Sequence, residues 1–284
     1  MRVLVTGAGG QLGTEVVAVF GAAGHDVIAA GHDRLDVGDR DAVLGAVTSL
    51  RPDAVVHTAA WTAVDACEGD LDRAWRVNAL GCRYVADACR RAGAHLCALS
   101  TDYVFDGEQP EPYTEWDRTN PINAYGRSKE AGEREVLGLA PSATIVRTSW
   151  VAGAAGPNFV KTMLRLAAGE GEVPVVADQR GCPTFARDLA EGLAVLVAGR
   201  VPGVFHMTNQ VATTWWELAR ATFALAGADV ERVVPITTSE LVPARPARRP
   251  ANSVLDNTAL RLAGLPLLAD HREALARLVK EVQV

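Results

Sequence analysis

Short apolar runs alternate with amphipathic stretches through the first half of the chain. The apolar runs predict strands at residues 3–5, 26–30, 54–58, 96–99 and 144–147. The amphipathic stretches predict helices near residues 14–20, 40–50, 71–92 and 128–137. Such alternation of strand and helix is typical of a parallel sheet with right-handed crossovers.

The second half of the chain is less regular. Glycine- and proline-containing segments predict loops at residues 153–158 and 174–183, and a loop-rich tail at 235–252. Helical patterns recur only near residues 185–198 and 271–282. Because ligands of open α/β sheets bind beyond the carboxyl ends of the strands, we expect the loops at 61–70 and 101–120 to line a site.

Composition narrows the class of protein. With 284 residues and 49% hydrophobic content, the chain can bury a large core. The net charge of −6 and the absence of a lysine-rich run argue against nucleic acid as a partner, although Arg245, Arg248 and Arg249 form a basic cluster. No 18-residue apolar segment or signal sequence is present, so we expect a cytoplasmic protein that does not span a membrane.

The five cysteines lack metal-site spacing. They are odd in number and form no C-x-x-C motif, so we expect reduced, mostly buried thiols. The six histidines are scattered along the chain and belong to no ligand cluster. We therefore expect no bound metal.

A glycine triplet follows the first predicted strand. Gly7, Gly10 and Gly13 have the spacing G-x-x-G-x-x-G, and a helical pattern begins near Gln11. The first glycine permits a tight turn, the second admits a pyrophosphate, and the third lets the helix pack closely on the sheet. The helix N-terminus adds free N–H groups and the positive end of its dipole. In this context the motif predicts a dinucleotide-binding site.

The second predicted strand ends without the acidic residue that often binds the adenosine ribose. Asp33 is the nearest acid, and Arg34 follows it. An arginine here favours a 2′-phosphate, and hence NADPH; the alternative is that both side chains are solvated loop charges. Asp36 is expected to accept a hydrogen bond from adenine. Small residues between His57 and Thr62 suit a close backbone approach to the nicotinamide ribose.

Tyr125 and Lys129 lie four residues apart and share one face of a predicted helix. An ammonium group beside a phenol favours the phenolate, so we expect a lowered Tyr125 pKa. Such a tyrosine exchanges a proton with a carbonyl or alcohol oxygen near neutral pH. Thr101, just beyond the strand at 96–99, offers a hydroxyl to the same carbonyl. These three are the predicted catalytic residues.

Together these motifs resemble the extended short-chain dehydrogenase/reductases that act on nucleotide sugars. Further stretches are similar to dTDP-4-dehydrorhamnose reductases, and the resemblance covers nearly the whole chain. These stretches are residues 6–13, 100–107, 147–150, 178–184 and 249–256.

The resemblance implies an α/β fold: a Rossmann-like, doubly wound parallel sheet with helices on both faces and a smaller C-terminal lobe. Residues 1–150 would form the NAD(P)-binding domain, to which some later elements return. Residues 151–284 would mainly form the lobe that binds the sugar nucleotide.

The same resemblance implies a reaction. NADPH, with NADH as the alternative, would reduce the 4-keto group of dTDP-4-dehydro-L-rhamnose to give dTDP-L-rhamnose. Tyr125 would give the proton to O4, Thr101 would orient the carbonyl, and Lys129 would hold the cofactor ribose. The predicted cofactor-binding residues are Gly7, Gly10, Gln11, Leu12, Gly13, Asp36, Val37, Ala60, Trp61, Thr62, Leu99, Tyr125 and Lys129.

The predicted substrate-binding residues follow from the same motifs. Thr101 and Asp102 would contact the sugar, and the Trp150 indole would pack on its apolar face. The thymidine diphosphate would be bound by Asn158, Arg180 and Arg249, since an arginine fork suits phosphate oxygens.

Two departures from related enzymes matter. Nucleotide-sugar dehydratases carry a glutamate base where this chain has Tyr103, and an ordinary phenol is protonated at neutral pH, so dehydration is disfavoured. Some reductases of this family hold Mg²⁺ through glutamates. Glu15 and Glu191 match two such positions, but a third has no clear counterpart. We expect a monomer or a homodimer.

Three alternatives remain open on the sequence. A related 4-ketoreductase with another deoxysugar product would share every residue named above. A non-catalytic, cofactor-binding regulatory subunit would have the same fold, but loss of the tyrosine, the lysine or the substrate motifs would favour that assignment. A nucleotide-sugar epimerase would retain its NAD tightly.

Overall fold

The structure is a computed structural model that describes residues 1–283. Strands are numbered in chain order as β1 (Arg2–Thr6), β2 (Asp26–Ala30), β3 (Ala54–His57), β4 (His95–Thr101), β5 (Thr144–Thr148), β6 (Val151–Ala152), β7 (Val173–Val176), β8 (Arg180–Gly181), β9 (Thr184–Phe185), β10 (Gly203–His206), β11 (Thr213–Thr214) and β12 (Val233–Ile236).

Helices are numbered in the same way. They are α1 (Gln11–Ala22), α2 (Arg40–Leu50), α3 (Val64–Gly69), α4 (Leu71–Ala74), α5 (Gly81–Ala92), α6 (Ala124–Leu139), α7 (Phe159–Ala167), α8 (Ala186–Ala198), α9 (Trp215–Leu225), α10 (Thr258–Leu262) and α11 (His271–Gln283). A π-helical segment, Trp75–Leu80, joins α4 to α5, and short 3₁₀ segments span Asp102–Val104, Val230–Arg232 and Thr238–Glu240.

Six parallel strands form the central sheet, in the order β10-β5-β4-β3-β1-β2. The chain therefore runs outward from β1 to β2, then reverses and adds β3, β4 and β5 on the other side. In open α/β sheets a ligand crevice forms where the strand order reverses, outside the carboxyl ends of the strands. The predicted α/β class with a parallel sheet is confirmed.

Each face of this sheet is covered by helices. One face packs against α1 and α8 through side chains such as Phe20 and Leu193. The other face packs against α2, α5 and α6 through side chains such as Val43, Val85 and Val136. Since both faces are buried, β1, β3 and β4 consist largely of buried residues, which explains their continuous apolar runs.

The second half of the chain contains elements that its pattern did not reveal. The loop predicted at 174–183 was partly wrong, because β7 pairs in parallel with β12. Pro174 and Pro235 indicated loop, but this sheet has only two strands, so each proline N faces a free edge. β10 was also missed, and it adds to the central sheet beside β5.

A second core lies under the C-terminal elements. It is built from α7, α9, α11 and the β7–β12 pair, with Phe223 and Leu275 fully buried. All five cysteines are buried and unpaired, as expected for structural thiols. Within residues 1–283 we find no helix with the length and apolar character needed to cross a membrane.

A buried ion pair attaches α6 to the sheet. Glu133 and Arg147 are each 6% exposed, and Arg147 Nη2 donates to Glu133 Oε2 at 2.7 Å. Arg147 Nε donates to Oε1 at 2.9 Å, and the Ser100 hydroxyl donates to the same oxygen. These bonds join α6 to β4 and β5, the strands whose carboxyl ends carry Thr101 and Thr148.

We expect the Glu133→Gln substitution to lower the free energy of unfolding by about 3–5 kcal/mol, because it leaves the buried Arg147 charge uncompensated. Glu135→Gln, two residues later on α6, is the matched control. Its partner Arg83 lies at 2.6 Å but is half exposed, so the loss should stay below about 1 kcal/mol. Urea unfolding measures both values, and equal losses would contradict a stabilising role for the buried pair.

Candidate active site

A glycine cradle follows β1. Gly7 has a φ of +69°, and a Cβ atom there would lie 2.6 Å from the backbone N of Ala59. A Cβ on Gly13 would collide with the carbonyl oxygen of Gly7. Gly10 is the N-cap of α1 and has no side chain to cap the helix. The cradle therefore presents uncapped N–H groups at close backbone range, which fits a pyrophosphate.

A cleft opens beside this cradle at the carboxyl ends of β1, β2 and β3. Its lining residues are Gly7, Gly9, Gly10, Gly31, His32, Asp33, Leu35, Asp36, Val37, Thr58, Ala59, Ala60, Trp61, Arg73 and Val77. We call this the cofactor cleft. Of the predicted cofactor-binding residues, Gly7, Gly10, Asp36, Val37, Ala60 and Trp61 line it.

Other predicted cofactor residues lie around the cleft without lining it. Leu12 and Gly13 are buried where α1 packs on the sheet. Gln11 points toward the C-terminal half, where its amide Nε2 donates to Pro157 O at 3.1 Å. Thr62 and Leu99 also lie outside the lining, although the Leu99 carbonyl binds Lys129.

Asp36 is held by two donors. Its Oδ1 accepts from Gly38 N at 2.9 Å, and its Oδ2 accepts from Arg76 Nη1 at 3.1 Å. The backbone hydrogen bond from Gly38, helped by Arg76, holds the pKa of this carboxyl below its usual value. Asp36 is therefore a fixed, ionised acceptor at the side of the cleft.

Sequence reasoning missed three residues that shape this cleft. His32 and Arg73 line it, and the Arg73 guanidinium carbon lies 4.5 Å from the centre of the Trp61 ring. The buried Asn78 side chain binds both backbone groups of Trp61, accepting from N at 2.8 Å and donating to O at 3.1 Å. Arg73 lies on α4 and Asn78 lies in the π-helical segment, and neither carries a sequence motif that indicates a cofactor site.

Tyr125 and Lys129 lie on the first two turns of α6, and both are buried. Asn123 caps the helix by accepting from Gly126 N at 2.7 Å, which fixes where the first turn begins. Lys129 Nζ donates to the carbonyl oxygen of Leu99 at 2.7 Å. The lysine thus ties α6 to the carboxyl end of β4, a contact that the sequence did not predict.

The protonation of Tyr125 differs from the sequence-based expectation. Burial raises the pKa of its phenol well above the usual value, and the nearby Thr101 hydroxyl only partly offsets this. Lys129 was expected to lower the pKa, but its ammonium is engaged by the Leu99 carbonyl. Tyr125 therefore holds its proton at neutral pH, which is the state required of a proton donor.

Thr101 and Asp102 end β4 beside Tyr125. Thr101 Oγ1 accepts from Tyr103 N at 3.2 Å and donates to Asp102 Oδ1 at 3.0 Å. Burial raises the pKa of Asp102 to about 7, although the Ser253 and Thr101 hydroxyls oppose the rise. Within residues 1–283, Asp102 Oδ2 has no hydrogen-bond partner. A buried, unpaired carboxyl oxygen at this place is available to a sugar hydroxyl.

His57, at the end of β3, is also buried and uncharged. Its Nδ1 lies 2.7 Å from Thr6 Oγ1, and its Nε2 has no partner within residues 1–283. Burial, together with the nearby Lys129 charge, lowers the His57 pKa to about 3. The histidine therefore adds no positive charge near Lys129 at neutral pH.

A second cleft lies under the C-terminal half, and we call it the substrate cleft. Its lining residues are Tyr103, Phe159, Thr162, Met163, Leu166, Val173, Pro174, Val175, Val176, Gln179, Trp215, Thr238, Leu241, Ala244, Arg245, Ala247, Arg248 and Arg249. Its lining combines apolar and aromatic side chains with three arginines. Arg249 was predicted, whereas Phe159, Trp215, Arg245 and Arg248 were not assigned to this site.

An acidic residue holds the arginine segment of this cleft. Asp65, on α3, accepts two hydrogen bonds from Arg249, one of them at 2.8 Å to Nη2. Arg245 Nη1 lies 3.4 Å from the same carboxylate. The Arg249 hydrogen bond lowers the pKa of Asp65, so the carboxylate stays ionised.

The other predicted substrate residues lie outside the lining of the substrate cleft. Trp150 stacks on Trp215 at 3.6 Å between ring centroids. Asn158 caps α7 and donates from Nδ2 to Gln11 Oε1 at 2.9 Å. Arg180 is exposed on β8, and its guanidinium makes no ion pair with any of residues 1–283. Trp150 thus packs behind Trp215, which lines the cleft. Asn158 acts in the structure as the N-cap of α7.

Residues 1–283 contain no grouping of three or more His, Cys, Asp or Glu side chains suited to a metal ion. Glu15 and Glu191, the two positions matched to a metal site in related enzymes, both lie near Arg187. Arg187 Nε is 2.9 Å from Glu191 Oε1, and its Nη1 is 3.8 Å from Glu15 Oε2.

Comparisons with known proteins identify relatives of this chain. A family model described as the RmlD substrate binding domain matches residues 1–284. A dTDP-4-dehydrorhamnose reductase of Streptomyces griseus is 50% identical over 280 residues, which cover 96% of this chain and 91% of that protein. A probable dTDP-4,6-dihydroxy-2-methyloxan-3-one 4-ketoreductase of Streptomyces antibioticus is 46% identical over 279 residues, covering 97% and 93%.

A solved structure is similar over the same extent. The crystal structure of dTDP-4-dehydrorhamnose reductase from Bacillus anthracis strain Ames in complex with NADP has a TM-score of 0.95 and 40% identity, and the match covers 99% of each chain. The resemblance that the sequence motifs indicated is confirmed.

We expect Gly7→Ala to abolish dinucleotide binding, because its Cβ would meet Ala59 and its φ of +69° strains any L side chain. Gly21→Ala is the control, since a Cβ there meets nothing within 4 Å and alanine is the better helix former. Titration with NADPH and NADH, alongside circular dichroism, checks both variants. Unchanged binding by a folded Gly7→Ala protein would show that the cradle does not hold the pyrophosphate.

The raised Asp102 pKa predicts a pH-dependent effect on stability. The native carboxyl keeps its proton up to pH about 7, whereas an ordinary aspartate of pKa 3.8 loses it earlier. The native state therefore binds more protons between these values, and its stability falls as pH rises through this window. Asp102→Asn removes the effect, so its stability relative to wild type should rise from pH 4 to pH 7 by a few kcal/mol, on the order of the shift.

Asp106→Asn serves as the opposite control, because the pKa of Asp106 is lowered by its bonds to Tyr113 and Asn120 despite partial burial. Its loss should cost stability above pH about 4 rather than add it. Urea unfolding across the pH range measures both differences. A flat difference for Asp102→Asn would show that this carboxyl is ionised normally.

Proposed function

The chain belongs to the RmlD substrate binding domain family, and we propose that it reduces the 4-keto group of dTDP-4-dehydro-L-rhamnose to give dTDP-L-rhamnose. NADPH is the proposed hydride donor, with NADH as the alternative. One observation carries the proposal: Tyr125 packs in a single cluster with Trp61, which lines the cofactor cleft, and Tyr103, which lines the substrate cleft. A proton donor therefore lies where a cofactor and a sugar would meet.

The residues of the cofactor cleft fit a nicotinamide dinucleotide. The glycine cradle would take the pyrophosphate, and Asp36 would accept from the adenine amino group. When bound, the reduced nicotinamide supplies the hydride that goes to C4 of the sugar. The similar structure from Bacillus anthracis contains NADP, which supports NADPH as the donor.

Tyr125 and Thr101 would both contact the oxygen of the reacting carbonyl. As C4 takes the hydride, O4 gains electron density and takes the proton of the Tyr125 hydroxyl, so that the ketone becomes a secondary alcohol. The Thr101 hydroxyl, which donates to Asp102 Oδ1 in the structure, would turn to donate to the same oxygen and orient it. Lys129, fixed by the Leu99 carbonyl, would hold the nicotinamide ribose.

The substrate cleft has the chemistry of a nucleoside diphosphate site. Phe159 and Trp215 offer flat apolar surfaces to a thymine ring or a deoxysugar. Arg245, Arg248 and Arg249 line the same cleft, and guanidinium groups bind phosphate oxygens well. Asp65 keeps Arg249 in place, so a diphosphate would meet an arginine of fixed orientation.

We also infer that the two halves of the chain bind different ligands. Residues 1–150 would bind the cofactor, and residues 151–284 would mainly bind the sugar nucleotide. α8 and β10 return to the first unit, since α8 packs on α1 and β10 joins the central sheet. Both halves would then surround one set of strand ends.

Dehydration is a poor fit to this site. Burial raises the pKa of Tyr103, which stands where dehydratases carry a glutamate, far above neutral pH. A protonated phenol is not a base for removing a proton from the sugar. A second candidate is a related 4-ketoreductase with a different deoxysugar product, because the Streptomyces antibioticus relative is named for another dTDP-linked ketone.

The direct test is oxidation of NADPH, followed by absorbance, with enzymatically prepared dTDP-4-dehydro-L-rhamnose and identification of the product by NMR. Stoichiometric oxidation with dTDP-L-rhamnose as product is expected. A different alcohol formed from the same ketone would keep the mechanism and change the product, through the opposite configuration at C4. A folded protein that binds NADPH without oxidising it would favour a regulatory subunit, and cofactor that stays bound through purification would favour an epimerase.

For Tyr125→Phe we expect kcat to fall by about 10²–10⁴-fold while NADPH binding is retained, because only the proton donor is lost. Tyr84→Phe on α5 removes a phenol that lines neither cleft and should leave kcat unchanged. Steady-state kinetics and cofactor titration measure the two variants. Near-wild-type kcat in Tyr125→Phe would assign the proton to another group.

A further inference from the structure

We infer that Asn123 is a positioning residue for the substrate, because its side-chain amide fixes the arginine segment of the substrate cleft, residues 245–249, relative to the Tyr125 phenol. This inference rests on the proposed function and deepens it. It names the residue that would determine how the diphosphate of the sugar nucleotide is placed with respect to the proton donor.

The side chain of Asn123 forms hydrogen bonds with two distant parts of the chain. Its Oδ1 accepts from Gly126 N at 2.7 Å and so caps α6. Its Nδ2 donates to the carbonyl oxygen of Arg248 at 2.8 Å, although the two residues are 125 positions apart. Asn123 is only 1% exposed, so both bonds are shielded from solvent. One buried amide therefore joins the start of α6 to the arginine segment.

The first turn of α6, which carries Tyr125, has further attachments of its own. Ala124 N donates to Glu68 Oε1 on α3 at 2.7 Å. Gly126 lies directly against the backbone of Tyr103, and a Cβ atom there would collide with the Tyr103 carbonyl oxygen. Loss of the bond from Asn123 to the arginine segment would therefore leave the position of α6 nearly unchanged.

The arginine segment depends more strongly on this bond. Asp65 accepts from Ala247 N at 3.2 Å and from the Arg249 guanidinium, whose Nη2 lies at 2.8 Å. The Arg248 side chain, between these two contacts, is exposed and lines the substrate cleft. Asn123 attaches the backbone of Arg248 itself, and thus fixes the point from which this side chain extends.

The distance between the arginine segment and Tyr125 matters for the proposed reaction. Guanidinium groups bind phosphate oxygens in a defined geometry, so the arginine backbone would determine where the diphosphate lies. Proton transfer requires O4 of the sugar within hydrogen-bond reach of the Tyr125 hydroxyl. Because the sugar is covalently linked to the diphosphate, both requirements are met only at one separation. Asn123, two residues before Tyr125 and bonded to Arg248, sets that separation.

The substitution Asn123→Asp separates the two bonds of this side chain. Aspartate caps a helix as well as asparagine does, so the bond from Gly126 N is retained. The N–H donor to Arg248 is lost, and a carboxylate oxygen faces the carbonyl oxygen instead. We expect the affinity for dTDP to fall about tenfold and the KM for the sugar nucleotide to rise to a similar extent. The kcat value and the affinity for NADPH should stay within about threefold of wild type, because α6 keeps its other attachments.

Asn257→Asp is the matched control. Asn257 is also a buried asparagine that uses both ends of its amide, since its Oδ1 accepts from Thr208 N at 2.8 Å and its Nδ2 donates to Thr208 Oγ1 at 3.1 Å. It lines neither cleft, so its substitution should leave the affinity for dTDP unchanged.

Calorimetric titration with dTDP and with NADPH measures the two affinities, steady-state kinetics separates KM from kcat, and a thermal melt confirms folding. If Asn123→Asp does not fold, Asn123→Ser serves in its place, because serine also caps helices and has no side-chain N–H.

The outcomes separate this inference from the proposed function. Unchanged dTDP affinity and KM in a folded Asn123 variant would overturn the inference and leave the reductase proposal intact. Equal losses of dTDP and NADPH affinity, a fall in kcat at constant KM, or an equal loss of dTDP affinity in Asn257→Asp would also overturn it, because each indicates a general structural effect. Wild-type protein that binds no dTDP would overturn the proposed function, and this inference with it.

Discussion

The attachment of α6 to the sheet is the constraint on which the rest of the site depends. The proposed roles of Tyr125 and Lys129 require a fixed position of α6 relative to the carboxyl ends of the strands. Two sets of polar bonds fix that position. Lys129 binds the Leu99 carbonyl, and two turns beyond Tyr125 the Glu133 carboxylate binds Ser100 and Arg147. Because these bonds are buried, sliding of the helix would leave charges unpaired in the core, which is costly.

Burial also decides the charge state of the site. Tyr125 and Asp102 have raised pKa values and His57 a lowered one, in each case chiefly because burial disfavours the charged form. The site is therefore built mostly from neutral polar groups around the Lys129 ammonium. In such surroundings that one cation acts more strongly on a developing oxyanion than it would in water. Sequence spacing placed the lysine on the same helix face as the tyrosine, but it could not show that burial would raise the tyrosine pKa.

Sequence pattern predicted the first half of the chain well, because its strands are buried on both faces and its helices are amphipathic. The strand 26–30 and the helix 40–50 coincide with β2 and α2. In the second half, prolines in β7 and β12 masked a two-stranded sheet, and β10 was too short to be distinguished. The glycine motif and the Tyr125–Lys129 pair indicated chemistry through local spacing. Phe159, Trp215 and Asp65 carried no such signal, because they meet Arg249 or its cleft only in the folded chain.

The segment that follows β3 contacts both clefts. Trp61 lines the cofactor cleft and is clamped by Asn78, while Asp65, four residues later, binds Arg249 in the substrate cleft. Tyr125 packs against this same segment. A change in the position of α3 would therefore affect Trp61, Arg249 and Tyr125 together. The arginine segment spans residues 245–249, far along the chain from α3, so the Asp65–Arg249 ion pair holds two distant parts of the chain together beside the cluster that contains Tyr125.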